Sequence, residues 1–226
     1  MEFLWVAALE FIGCLPFILV AIGVGALIFY GIRAEKKRKE AVAQIASDLG
    51  LIYYEQGHDS LQQALESFEL FNTGRSRRIT NMIYGDTESE QVGVFDYTYR
   101  TGSGKNSSTH NQTVVFIQSP QLELTGFSMS PENFLHRIAT AFGYTDINFD
   151  THPLFSKAFL LRGADEEAVR RTFKPSLLEF FEARKGVSVE GNGNRLIFFR
   201  AGHRIKPADF VELMNEGLQV YRQFLA

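Results

Sequence analysis

Residues 91–118 read QVGVFDYTYR (91–100), TGSGKNSST (101–109) and HNQTVVFIQ (110–118). Polar and apolar side chains alternate in the first run. The last run is rich in β-branched and aromatic residues, and Gly, Ser, Thr and Asn fill the segment between. This is the signature of two strands and a turn-rich connection. A connection this short makes the pair antiparallel. Outward from it, Arg78–Tyr84 reads as a strand closed by Gly85-Asp86, and Leu122–Ser128 as another. The four runs predict an antiparallel meander. Leu51–Tyr54 is a shorter strand ahead of it, followed by a helix over Leu61–Phe68 with Leu61, Ala64, Leu65 and Phe68 on one side. Ser130 as cap and Pro131 at the first position open a further helix. Its expected buried face is Phe134, Leu135, Ile138 and Phe142, and Gly143 is its stop.

The pattern then restarts. Ala158–Leu161 is a strand, Asp165–Phe173 and Ser176–Ala183 are a helical pair broken at Pro175, and Gly186–Glu190 and Arg195–Arg200 flank a Gly-Asn-Gly-Asn turn at 191–194. Pro207–Phe224 is the last helix, with Phe210, Met214, Leu218, Tyr221 and Leu225 inward. The fold class is therefore α+β, an antiparallel sheet with packed helices. Residues 51–150 and 151–226 read as two α+β modules, and similar starts at Pro131-Glu132-Asn133-Phe134-Leu135 and Pro207-Ala208-Asp209-Phe210-Val211 suggest a duplication.

The N-terminus is chemically different. Twenty-five of the first 32 residues are apolar and none is Lys or Arg. From Phe11 to Ile32 there is no charge over 22 positions. A helix of that length spans about 33 Å, against a hydrocarbon core of about 30 Å. Residues 1–32 are read as an N-terminal tail and transmembrane helix. The side chains expected in lipid are Phe11, Ile12, Leu15, Phe17, Ile18, Leu19, Val20, Ile22, Val24, Leu27, Ile28 and Phe29. Trp5 and Tyr30 stand near the expected interfaces, and Glu10 marks the outer limit.

Residues 33–50 are a basic flank and connecting helix. Arg33, Lys36, Lys37, Arg38 and Lys39 face only Glu35 and Glu40 within 33–40. Positive charge on this side orients the C-terminal part toward the cytoplasm and the N-terminus outside. The same cations can bind anionic headgroups. No Gly or Pro interrupts 32–48, so the helix is expected to continue with Val42, Ile45, Ala46 and Leu49 on one face until Gly50. Cys14 is the lone cysteine, which excludes an intrachain disulfide.

Several stretches carry a family resemblance: Pro131-Glu132-Asn133-Phe134, Asp146-Ile147-Asn148-Phe149, Phe155-Ser156, Leu160-Leu161-Arg162-Gly163, and Arg170 with Phe173. Upstream, Phe95-Asp96-Tyr97 and Gly102-Ser103-Gly104-Lys105 fit the same pattern. They resemble an uncharacterised group of bacterial proteins with an N-terminal membrane anchor and a cytoplasmic α+β domain. The resemblance implies a bacterial inner-membrane location and a shared fold. It implies no activity.

The chemistry-bearing residues are few. Gly102-Ser103-Gly104-Lys105 lacks the Gly at 99 and the Ser or Thr at 106 of a phosphate-binding loop, and a strand rather than a helix follows. It reads as a hairpin tip able to touch a partner. Asp146, Asp150 and His152 could ligate a metal with a distant residue. Asp96 shares a strand face with Val92, Val94 and Thr98, opposite Phe95, Tyr97 and Tyr99. If that face is buried, its carboxylate needs a cation (Arg100, Arg77 or Arg162) and could act as acid or base. The five histidines show no metal-ligand spacing, and there is no Ser-centred nucleophile elbow. Residues 41–226 hold 18 basic and 22 acidic side chains, which argues against nucleic acid as a partner.

The expected function is accordingly a single-pass membrane protein whose cytoplasmic domain, without a cofactor, serves in interaction or scaffolding. Its partners would be the lipid bilayer and other membrane or cytoplasmic proteins. The alternative is a membrane-tethered domain that binds an apolar or lipid-like ligand, lined by some of the 21 phenylalanines. An enzyme using Asp96 is the third reading.

Overall fold

The structure is a computed structural model that describes residues 2–57, 59–87, 89–132 and 146–226, with side chains described from Leu19 onward except at 59 and 60. Two compact units divide between Ala41 and Val42. Helix α1 is Glu2–Asp48. In the first unit its described apolar side chains, Leu19, Val20, Ile22, Val24, Leu27, Ile28 and Phe29, are all at least half exposed. Phe11, Ile12, Leu15, Phe17 and Ile18 lie outside the described side chains. Among the described residues, no helix is long and apolar enough to cross a membrane.

The second unit is α+β. In chain order it contains β1 (Ile52–Gln56), α2 (Asp59–Leu65), α3 (Glu69–Asn72), β2 (Arg75–Asp86), β3 (Gln91–Thr101), β4 (Ser108–Gln118) and β5 (Leu124–Pro131). There follow α4 (Pro153–Ala158), β6 (Phe159–Gly163), α5 (Glu166–Thr172), α6 (Pro175–Glu182), β7 (Ser188–Gly193), β8 (Arg195–Phe199) and α7 (Phe210–Leu225). Among the described residues, eight strands form one antiparallel sheet in the order β1-β2-β3-β4-β8-β7-β5-β6.

The predicted meander is therefore correct through β4 and wrong at β5. The C-terminal hairpin β7–β8 inserts between them, Val114–Gln118 pairing with Arg195–Phe199. Strands from the stretches 51–150 and 151–226 lie in one sheet, where β5 sits between β7 and β6. β5 also runs through Ser130 and Pro131, which pair with Leu160 and Phe159. They end the strand, and Glu132 begins a helical turn directly after them. The rest of that predicted helix, residues 133–143, lies outside the described residues.

Both sheet faces are covered, so strands such as TVVFIQ and RLIFF are apolar on both sides. Val115, Ile117, Leu196 and Phe198 face one core with Val42, Ala46, Phe155, Phe173, Phe181 and Phe210. Val114, Phe116, Ile197 and Phe199 face a second core with Phe95, Tyr97, Tyr99 and the α2–α3 residues Leu61, Leu65, Phe68 and Phe71. On α7 the buried stripe is Phe210, Leu213, Gly217, Val220 and Tyr221. The expected stripe was centred on Met214 and Leu218, which are only half-buried, and Leu225 is exposed. Gly217 explains the rotation: a Cβ there would stand 2.7 Å from Val115 Cγ1, so the helix rests its backbone directly on β4.

Candidate functional site

Asp96 is 1% exposed and lies on the Val94 face as predicted. Its cation is Arg204, from the β8–α7 connection, and not Arg100, Arg77 or Arg162. Arg204 Nε and its terminal nitrogen both reach Oδ2 at 3.0 Å. Asn81 Nδ2 donates to Oδ2 and Thr113 Oγ1 to Oδ1, each at 3.0 Å. Asn81 adopts φ 53° at an irregularity of β2 pairing, a left-handed conformation that Asn tolerates better than most residues. Its Oδ1 accepts from Tyr53 Oη at 3.3 Å. Ile205 N–H donates to Thr113 Oγ1, and Thr113 N–H to His203 C=O. A buried carboxylate that takes two Arg204 nitrogens on one oxygen, with two further donors, is a clamp, and it fastens residues 203–205 across β3 and β4.

A second buried carboxylate was missed in the sequence. Glu190 on β7 is 5% exposed and faces the aromatic core, paired with Ile197. Its two oxygens accept the Leu70 N–H of α3 at 3.1 and 3.3 Å. Beside it Glu69 pairs with Arg162 at 3.3 Å, and Tyr97 Oη donates to Leu70 C=O at 3.5 Å. Burial pushes the Glu190 carboxyl up to about 8, helped by the neighbouring Glu69 charge and opposed by the Leu70 and Glu69 N–H groups and by Arg162. Burial and the Glu190 charge push the Tyr99 hydroxyl up to about 12. Arg162 Nε, Ser188 Oγ and Tyr99 Oη are buried with no hydrogen-bond partner among the described residues. The signal in the sequence was the alternation Val187-Ser188-Val189-Glu190, which puts both polar side chains on one face.

A groove of about 310 Å³ opens beside this cluster. Leu65, Phe71, Ile79 and Tyr97 supply its apolar lining, and Gln56, Gln62, Glu66 and Arg77 its polar rim. Arg77 donates to the carbonyls of Asn72 and Gly74 at 3.1–3.2 Å, which holds it against the C-terminal end of α3. The volume is at the small end of the range of ligand pockets, about 300–1,000 Å³.

The structure does not gather the remaining predicted site residues into a centre. Asp146 Oδ1 accepts Leu161 N–H at 3.1 Å and Oδ2 accepts from Asn148, so it covers the edge of β6. His152 precedes α4 and pairs with Thr151 Oγ1 at 2.9 Å, while Asp150 is exposed. Among the described residues no group of three or more His, Cys, Asp or Glu is placed to hold a metal ion. Gly102–Lys105 is the tip of the β3–β4 hairpin, as expected, and Gly102 C=O accepts from Arg75.

No family model and no curated protein sequence matches the chain. Among solved structures it is similar to the crystal structure of the mycobacterial trehalose monomycolate transport factor A, TtfA, with a TM-score of 0.57 and 13% identity. The match covers 83% of this chain and 92% of that one. At this identity the likeness is one of fold.

Proposed function

We propose that this chain is a membrane-anchored protein whose α+β unit binds an apolar, lipid-like ligand on the cytoplasmic side of a bacterial inner membrane. The observation that carries it is the surface of α1: from Leu19 to Ile32 every described side chain is exposed and none is charged. Apolar side chains on all sides of a helix call for an apolar surrounding. In sequence the run extends back to Phe11, which gives the length of a bilayer span. Arg33, Lys36, Lys37, Arg38 and Lys39 then form the cytoplasmic stop and meet anionic headgroups.

Ligand binding is preferred over scaffolding because the solved structure of similar fold is named for transport of a lipid, trehalose monomycolate. The groove beside Tyr97 offers an apolar floor within a polar rim. The test is photocrosslinking in native membranes with a diazirine-bearing fatty acid supplied to cells, followed by peptide mapping. Adducts are expected on Leu19–Ile32 and, separately, within 42–226. Labelling of α1 alone would leave a membrane anchor without a lipid-binding domain. Labelling of neither, with the protein released by alkaline carbonate, would overturn the proposal.

A further inference from the structure

The polar cluster and the groove share one wall, the segment Leu61–Asn72, which covers the aromatic face of the sheet. Leu61, Leu65, Phe68, Leu70 and Phe71 bury their side chains in that face, and only the polar part of the fastening is incomplete. One arginine, Arg162, serves two carboxylates, Glu69 and Glu190. Three buried polar atoms around the contact go without partners among the described residues. Each such atom raises the free energy of the closed arrangement. The helices are short: α3 has four residues and α2 seven, so neither is stable without the surface under it. Two residues beyond the segment stands Gly74, at φ +67°, where a Cβ would lie 2.4 Å from Arg100 C=O. A left-handed glycine there fixes a sharp turn between the segment and β2.

The groove lies along the flank of this segment, and its floor residues Phe71 and Tyr97 belong to the aromatic core beneath. Phe71 and Tyr97 rings are 4.5 Å apart, so lifting the segment joins the groove to that face. The rim offers donors and acceptors of both signs, Arg77 against Glu66 with Gln56 and Gln62. Arg78 also borders it, but the Arg77 donors are engaged by the Asn72 and Gly74 carbonyls, and Glu66 balances one of the two positive charges. A rim of this kind suits an uncharged, hydroxyl-bearing head better than an anionic one.

We propose that Leu61–Asn72 is a lid, and that lifting it admits one acyl chain against Tyr97 with an uncharged, hydroxyl-bearing lipid head at Gln62, Glu66 and Arg77. This rests on the lipid-binding reading above. Charge at Glu190 works against closure, because the groups facing it are Glu69 of α3, Arg162 of β6, the neutral Ser188 of β7 and the Tyr97 and Tyr99 hydroxyls of β3, with a single cation among them.

The experiment uses the full chain in lipid nanodiscs with a monoacylglycerol probe carrying a diazirine in its acyl chain. Adducts are expected on peptides containing 61–79 and 95–99. Gln62→Trp places a large ring at the groove mouth from an exposed position on α2, and Ile79→Trp fills the floor from β2. Either variant, if folded by circular dichroism, should lower that labelling about tenfold, the effect of roughly 1.4 kcal/mol in binding. Labelling of Leu19–Ile32 should be unchanged. Hydrogen exchange of 61–72, corrected for intrinsic rates, should rise between pH 6 and 9 in the native chain and stay level in Glu190→Gln. Adducts elsewhere within 42–226, insensitive to both tryptophans, would overturn the lid while leaving lipid binding intact. Absence of adducts anywhere in 42–226 would overturn both.

Discussion

Replacing Glu190 by Gln tests the energetic reading of the cluster beneath α3. The carboxyl rises from an ordinary 4.5 to about 8 in the folded chain. At about 1.4 kcal/mol per pKa unit, this amounts to roughly 5 kcal/mol of preference for the neutral form. Between those two pH values the folded chain retains a proton that the unfolded chain has released. The Glu190 contribution to stability is therefore greatest below pH 4.5, falls as pH rises through the window, and levels off above 8. Gln keeps an oxygen for the Leu70 N–H and cannot ionise. The variant should match the native chain within about 1 kcal/mol at pH 5 and exceed it by several kcal/mol at pH 8.5. Urea unfolding of the full chain in a non-ionic detergent, followed by far-ultraviolet circular dichroism, measures both. Other carboxylates titrate in both proteins, so the difference between the two curves isolates Glu190. Parallel curves, or a variant less stable at pH 8.5, would refute the argument that burial of this charge is a net cost.

Three further outcomes follow from separate contacts. Asp96→Asn leaves the Arg204 guanidinium beside a neutral amide, so it should destabilise by about 3 kcal/mol and raise hydrogen exchange over 200–206. A double-mutant cycle with Arg204→Met should show strong coupling. Gly217→Ala gains about 1 kcal/mol in helix propensity but drives a methyl into Val115, so the net effect on melting temperature should be a loss. Changing Lys36, Lys37, Arg38 and Lys39 to Gln should weaken binding to anionic vesicles by about 1 kcal/mol per charge, seen as a loss of salt sensitivity in flotation.

The strands were legible where alternation and turn chemistry coincide: the 91–118 hairpin and the Gly-rich turn before Arg195 fall within a residue or two of their expected places. The position of β5 was not legible. Short connections point to the next strand in sequence, and nothing local in Leu122–Ser128 shows that β8 outcompetes it for the edge of β4. The Asp96 partner was hidden for a related reason. Arg204 is 108 positions away and lies in a connection with no periodicity to place it. Glu190 was legible in part, since alternation groups it with Ser188, but a polar face reads as solvated unless something is known to cover it. The cover is α2–α3, some 120 positions upstream.

The insertion of the C-terminal hairpin bears on how the chain is made. After β4 leaves the ribosome its free edge is TVVFIQ, a run with no charge and strong β propensity, the composition that pairs with other chains. Its partner at Arg195 follows 77 positions later. At about 5–20 residues per second the edge waits roughly 4–15 s. A chain stopped before residue 195 carries that edge permanently, and its expected fate is aggregation. Supplying the β7–β8 hairpin in trans should protect it.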